Sequence, residues 1–327
     1  MKYVELHSCS AFSFLEGASL PEDLAVRASE LKLPAIALLD RDGFYGSPRF
    51  HAAAKETDVR AHVGAEISVE GFGKQAGLPT WMPNSASSRP VRLPLLVENR
   101  KGYQNLCRMI TRYKSREKEK GTGMATLEEV AEHAEGVICL TGGEEGILAA
   151  SLARGGLEEA QKNVQELIRL FGKNNVFVEL QRHFDPIEER RNQAAVNLAG
   201  RLRLPLLATN GVRYTHPEFR EILDVFTCIR NHCKLETAGR LLERNDERHL
   251  RSAEEMIRLF SDLPEAIANT NEVSARLEYT LADLGYEFPR YPVPDGETMD
   301  SFLRKRVEEG FRDRYAIKDD ENLLKRA

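Results

Sequence analysis

"YVELHSCSAFSFLEGASLPEDLAVRASELKLPAIALLD", residues 3–40, contains one complete strand–helix–strand unit. YVELH (3–7) and AIALLD (35–40) are apolar runs of strand length. Between them Leu24, Ala28 and Leu31 fall on one helical face, which predicts a helix over 20–33. Ser19 and Glu22 have the spacing of a capping box at its start, and Pro34 stops it. Two strands joined by such a helix are parallel, because the crossover returns the chain to the same end of the sheet.

The alternation continues outward. Strands are predicted at AHVGAEISV (61–69), RLPLLV (92–97), GVICLTG (136–142), VFVELQ (176–181) and PLLATN (205–210), which makes seven with the first two. A second clear helix covers 157–171, with Leu157, Ala160, Val164, Leu167, Ile168 and Phe171 on one stripe and Gly172 just past its end. Near-continuously apolar strands alternating with helices predict a parallel α/β sheet, and a closed or nearly closed barrel leaves no exposed edge, unlike a doubly wound open sheet. RLPLLV is the weakest of the seven, because Pro94 removes a ladder donor. The segment before it, 70–91, is rich in Gly, Pro and Ser and is expected to lie over one end of the barrel, pinned by Trp81.

After residue 215 the alternation stops. A helical stretch over 252–277, opened by Ser252 and Glu255 as a capping box, forms an appendix, FPRYPVPDG (288–296) is a connector, and an amphipathic helix follows at 298–315. The expected organisation is a barrel proper over about 1–215, a barrel-plus-appendix domain over 1–284, and the start of a further domain over 285–327.

Composition narrows the function classes. At 327 residues, 42% hydrophobic and 30% charged, the chain is an ordinary globular protein, and no run reaches the roughly 18 apolar residues of a membrane span. No signal peptide is evident, which predicts a cytosolic protein. The five cysteines have no framework spacing, as expected of reduced thiols. Cys139 reads as core, and Cys228 and Cys233 with His232 between them lack the second ligand pair of a zinc site. A net charge of −5 gives no global attraction for nucleic acid, and the basic stretches at 112–120 and 303–315 interleave acids at helical spacing, as solvated helix faces do.

In α/β barrels the chemistry sits at the carboxyl ends of the strands. Here those ends carry His7, Asp40, Glu66, Gly143, His183 and Asn210, with Cys9 and Glu16 in the first loop. Most are metal-ligand types, although histidines and carboxylates at strand ends also serve as plain hydrogen-bonding groups. His183 reads as a structural histidine, His216 as a surface or capping residue, and Cys9 as a small packed side chain.

Six stretches carry a family resemblance. ELHSCSAFSFLEGAS (5–19), ALLDRDGFYG (37–46), VGAEISV (63–69), LLVENRKGYQNLCRMIT (95–111), LATNGVRYTHPEFREILDVFTCI (207–229) and FPRYPVPDGETMDSFLRKRVEEGFRDRY (288–315) occur in order. Together they resemble the N-terminal part of bacterial C-family DNA polymerases, the DnaE-type alpha subunits, and most of all the error-prone ImuC type. The resemblance implies a PHP domain (polymerase and histidinol phosphatase), a distorted seven-stranded α/β barrel, followed by the beginning of a polymerase core. It further implies a parent enzyme that is a DNA-directed DNA polymerase in translesion synthesis after DNA damage, using Mg2+, DNA, dNTP and accessory proteins. Its palm aspartates are expected beyond residue 327, so the pair Asp40 and Asp42 in DRD is not a polymerase site.

In active PHP domains about nine ligands hold three metal ions that hydrolyse phosphoesters. The first family motif, His-x-His followed by an acid, is matched at His7 and Glu16, but Cys9 replaces the second histidine. Asp40 is followed by Arg41 where the family has histidine, Glu66 matches, and Arg92 falls on the next histidine. Gly143 replaces a Cys or His, and the closing Asp-x-His becomes Gly211, Val212 and Arg213. Six of the nine positions therefore depart from the pattern. A guanidinium has no lone pair to offer, and one placed about 5 Å from a divalent ion at an effective dielectric near 20 opposes binding by roughly 6–7 kcal/mol. The expectation is a metal-free site in which Arg41, Arg92 and Arg213 form a salt-bridge network with Glu16, Asp40 and Glu66, so that the module is a scaffold. The alternative is an active metal-dependent phosphoesterase or 3′-5′ exonuclease, in the limit with one metal at His7, Cys9, Glu16 and Glu66.

Overall fold

The computed structural model describes residues 2–72, 90–119, 121–284 and 291–315. The chain forms two compact units, Met1–Asp283 and Leu284–Ala327. All seven expected strands are present in the first unit: β1 (Glu5–Ser8), β2 (Ala35–Arg41), β3 (Arg60–Val69), β4 (Val91–Val97), β5 (Val137–Leu140), β6 (Val176–Leu180) and β7 (Leu206–Ala208). They make one sheet in sequence order, β1 to β7.

The sheet curls. Apolar side chains of β2 (Ala37, Leu39) and of β6 and β7 (Phe177, Leu207) share one buried cluster, although several strands separate them in the sheet. A bridge between Ser8 and Val212 joins the end of β1 to the chain leaving β7, with Cys9 N donating to Val212 O and Val212 N to His7 O, both at 2.9 Å. At this end the fold is the distorted seven-stranded barrel that was expected.

One expectation about the sheet is corrected. The sheet is not uniformly parallel: β4 runs antiparallel to both β3 and β5. Pro94 is tolerated in this central strand because β5 pairs only with Leu95, Leu96 and Val97. Arg92 N donates to Glu145 O, so the alternation of the ladder turns the Pro94 nitrogen to that same side, where the β5 ladder has already stopped. Residues 73–89 of the expected covering segment, Trp81 among them, lie outside the described residues.

Helices pack on the outside: α1 (Pro21–Glu30), α2 (Ser47–Ala54), α3 (Arg100–Arg116), α4 (Leu127–Glu132), α5 (Ile147–Phe171) and α6 (Pro186–Leu202). Leu24, Ala28, Leu106, Met109, Val164, Leu167 and Leu198 bury their faces against the sheet in the larger core. The start of α1 differs from the expected capping box. Pro21 fixes the first turn, Leu20 N is capped by Asp23, and Ser19 instead pairs its hydroxyl with Thr215 at 3.1 Å. The helix expected over 157–171 is the second half of α5, which kinks at Gly156 (φ +67°).

Beyond the barrel follow α7 (Arg220–Arg230), α8 (Leu235–Ala238), α9 (Ala253–Leu259) and α10 (Pro264–Arg276). The single helix expected over 252–277 is two, broken before Pro264, while Ser252 and Glu255 form the expected capping box. α10 does more than append. Its Val273 joins the concave cluster together with Leu277, Thr270 accepts from Val4 N at 3.2 Å, and Asn269 donates to Leu206 O at 2.7 Å. In the second unit, α11 (Met299–Tyr315) covers the helix expected at 298–315, and Tyr291 stacks on Phe302 with ring centroids 6.1 Å apart.

Candidate functional site at the barrel mouth

Strand direction decides what meets at the mouth. His7, Arg41 and Glu66 lie at or near the carboxyl ends of β1, β2 and β3. Because β4 is reversed, Arg92 at its start joins the same end, followed by the β5–α5 turn (Gly143 to Glu145), the end of β6 (Glu179, Gln181) and the chain after β7 (Gly211 to Arg213). A small cavity of about 30 Å3 remains between His7, Cys9, Arg41, Glu66, Gln181 and Arg213.

Arg41 is the hub. Its Nε pairs with Glu66 Oε2 at 3.0 Å, Nη1 contacts Glu16 Oε2 and Nη2 contacts Glu145 Oε2, with the side chain 9% exposed. Arg92 donates to Asp42 Oδ2 and Ser68 Oγ, both at 2.8 Å, and reaches Glu16 only at 4.0 Å. Arg213 donates to Glu243 Oε1 at 2.7 Å and lies 3.6 Å from Glu145. Arg248, from the chain after α8, pairs with Glu243 at 3.3 Å, and Arg230 of α7 with Glu16 at 3.1 Å.

Glu16, Glu66, Arg41, Arg92 and Arg213 thus lie together at the mouth, and Asp40 does not join them. It is fully buried and accepts from Ser10 N and Oγ, Ser13 Oγ and Gly46 N at 2.7–2.9 Å, so its role is to tie the first loop to β2. Asp42 takes the Arg92 partnership instead, and Tyr113 and Ser68 also donate to it. Glu145, Glu179, Glu243, Gln181 and Arg248 were not anticipated. An acid and an amide inside the apolar run VFVELQ were the visible signal for Glu179 and Gln181.

His7 sits between two carboxylates, Nδ1 2.7 Å from Glu179 Oε1 and Nε2 3.4 Å from Glu66 Oε1. Burial disfavours its charge, but Glu179 and Glu66 outweigh burial and raise its pKa to about 10. For Glu66 burial likewise works against the charge, and Arg41, His7 and Arg92 override it, holding the carboxyl down to about 2. Burial pushes the Cys9 thiol up to about 11 against the pull of Arg41 and Arg213, and its Sγ faces Glu16 O at 3.7 Å. His183 is the hydrogen-bonded structural histidine expected, with Nδ1 2.9 Å from Glu188 and Nε2 donating to Asn210 O at 2.8 Å.

The charge on His7 makes stability fall toward alkaline pH. Its folded pKa is raised, so its contribution is complete below the ordinary value of 6.5 and is lost as pH rises through about 10. Urea titrations are expected to give an unfolding free energy that drops between these limits by up to about 1.4 kcal/mol per pH unit. His7→Gln should flatten that limb; an equally steep limb in the variant would assign the loss to another group.

The glycines show what occupies the space that side chains at 143 and 211 would need. A Cβ on Gly143 would lie 2.4 Å from Gln181 Oε1, and one on Gly211 2.6 Å from Gln181 Nε2. Gln181 is itself held by Glu179 at 2.8 Å and Thr209 at 3.3 Å, so its carboxamide occupies the volume that larger residues at 143 and 211 would need.

The family model for the PHP domain matches residues 5–183. The chain belongs to the PHP domain family. It is 36% identical over 314 residues to an error-prone DNA polymerase of Mycolicibacterium paratuberculosis, covering 96% of this chain and 28% of that protein. It is 37% identical over 301 residues to an error-prone DNA polymerase of Anaeromyxobacter dehalogenans, covering 89% of this chain and 24% of that one. The chain therefore spans about a quarter of the length of these relatives. Among solved structures, an amidohydrolase from Chromobacterium violaceum with bound sulfate and no metal is 12% identical, with a TM-score of 0.44 over 64% of this chain and 87% of that one.

The PHP metals do not fit these residues. Both ring nitrogens of His7 face carboxylates and so carry protons, the Cys9 thiol is held protonated, and the Arg41 guanidinium lies among Glu16, Glu66 and Glu145 where cations would sit. Among the described residues, no group of three or more His, Cys, Asp or Glu is placed to hold a metal ion.

Proposed function

We propose that this chain is the N-terminal module of an error-prone, DNA-directed DNA polymerase, and that its PHP mouth is a structural arginine–carboxylate network without phosphoesterase activity. The observation that carries the second part is the Arg41 guanidinium bound at once to Glu16, Glu66 and Glu145. Fixed cations neutralise the acids that metals neutralise elsewhere, and they hold the loops after β1, β2 and β5 together. The first part rests on the likeness to error-prone DNA polymerases over 96% of the chain. In the whole protein, nucleotidyl transfer with Mg2+, DNA and dNTP would belong to a polymerase core outside these residues, and the parent would serve translesion synthesis after DNA damage with accessory proteins. Among the described residues no helix is long and apolar enough to cross a membrane, consistent with work in the cytoplasm on DNA.

The test combines metal content and hydrolysis. X-ray fluorescence on protein purified without chelator is expected to find no stoichiometric zinc, manganese or iron. Single-stranded DNA and a chromogenic phosphodiester should stay intact with added Mn2+ or Zn2+. Hydrolysis that disappears in a His7→Ala, Glu66→Ala double variant would instead establish the phosphoesterase or 3′-5′ exonuclease alternative.

A further inference from the structure

Helix α7 ends in a Schellman cap whose two closing residues are both cysteines. Asn231 is the last near-helical residue, His232 turns left-handed at φ +51°, His232 N donates to Ile229 O at 3.2 Å and Cys233 N donates to Cys228 O at 3.0 Å. This cap brings the side chains of its first and last residues together, and their contact is ordinarily apolar. Here the contact is thiol on thiol, with Cys228 and Cys233 within hydrogen-bonding reach. A backbone bond closing six residues also pulls the two Cα atoms into the roughly 4.4–6.8 Å window of a disulfide. The pair has no metal-site company among the described residues.

We propose that Cys228 and Cys233 form a reversible redox pair, oxidised by exchange with a small-molecule disulfide to an intramolecular bond that locks the end of α7. Cys228 is buried and Cys233 half-buried, which sets the order of events. The Cys233 thiolate attacks one sulfur of the disulfide RSSR, forming a mixed disulfide and releasing RS−, which takes up the proton Cys233 lost. Cys228 then gives its proton to solvent and attacks the Cys233 sulfur, forming the internal bond and releasing the second RS−, which takes up a proton from solvent. In sum two cysteine thiols and RSSR give one protein disulfide and two RSH. Burial raises the Cys228 thiol above its ordinary value, which suits it to the second step, where its partner is already in contact. Cys9 and Cys139 are buried elsewhere in the barrel, so they do not compete.

The experiment uses the whole chain in glutathione buffers poised reducing or oxidising, quenched with iodoacetamide in denaturant so that the buried thiols are exposed, and read by intact mass. Reduced protein is expected to carry five alkyl groups, one for each cysteine, and oxidised protein two fewer. Trypsin cuts after Arg230, so the bond appears as two linked peptides that separate on reduction. Cys228→Ser should leave a stable glutathione adduct on Cys233, and Cys233→Ser should leave no internal bond, with circular dichroism checking that both variants are folded. Full alkylation of the oxidised protein, a lasting adduct on Cys233 beside an intact Cys228, or a bond through Cys9, Cys107 or Cys139 would each overturn the assignment.

Discussion

Arg41→Ala is expected to lower the unfolding free energy at pH 7 by about 3–5 kcal/mol, because removing one partner leaves buried charge uncompensated. Three carboxylates converge on this guanidinium, and without it Glu16, Glu66 and Glu145 repel one another in a site screened from water. The melting temperature should fall on the order of 10 °C. Arg41→Lys should recover little, since a single ammonium cannot present three separated donors to three acids. The deficit should also depend on pH in a defined sense. In the native protein Glu66 is held down to about 2, so its stabilisation is present above the ordinary carboxylate value of 4.5 and is lost as pH falls through about 2. In the variant the uncompensated acids take up protons near and above 4.5, so the gap between the two proteins should narrow from pH 7 to pH 4. Urea unfolding at both values checks this, and a deficit below about 1 kcal/mol at pH 7, typical of an exposed pair, would mean that Arg41 does not hold the mouth together.

Gly211→Asp, which puts back an acid where active PHP domains are expected to have one, should destabilise by about 2–4 kcal/mol. The left-handed backbone at φ +55° accounts for about 1–2 kcal/mol of that with any side chain. The remainder comes from Gln181, which must give up its hydrogen bond to the buried Glu179 and leave that carboxylate with only His7 and Thr209 as partners, at about 1–3 kcal/mol. A double-mutant cycle separates the two contributions. With Gln181→Ala present, Gly211→Asp should cost less by about 1–2 kcal/mol, whereas strict additivity would show that Gln181 is not what the new side chain meets. The double variant should still bind no zinc, because Arg41 remains in place.

The strands were legible because each is an apolar run set off by polar turns, and the seven in the sheet match the seven read. The direction of β4 was not, since it depends on the path of the chain between β3 and β4, which carries no periodic pattern. The break before Pro264 could have been read from DLPEAI, where the proline outweighs the continuing apolar spacing. At the site, Arg41, Arg92 and Arg213 were found because they fall on ligand positions of the family pattern, whereas the strand-end rule alone pointed to His7, Asp40, Glu66, Gly143, His183 and Asn210. Asp40 was misassigned because period-two alternation separates neighbours but not Asp40 from Asp42, and only the fold shows which one faces the arginine. Glu243 and Arg248 come from the segment after the last strand, where no strand-end rule applies, so their place at the mouth was visible only in three dimensions.

The reversal of β4 also has an engineering use. β3 finishes and β4 starts at the same rim, with Val69 paired to Val91 and Ser68 to Arg92, so the join between these two strands begins and ends on one side of the sheet. Lengthening that join costs only a few tenths of a kcal/mol for modest additions, since closure entropy grows with the logarithm of length. A fluorescent reporter or an affinity handle grafted into that join would leave the β3–β4 ladder in register, because both strands are already fixed by their pairing from Gly64 to Val69 and Val91 to Leu96.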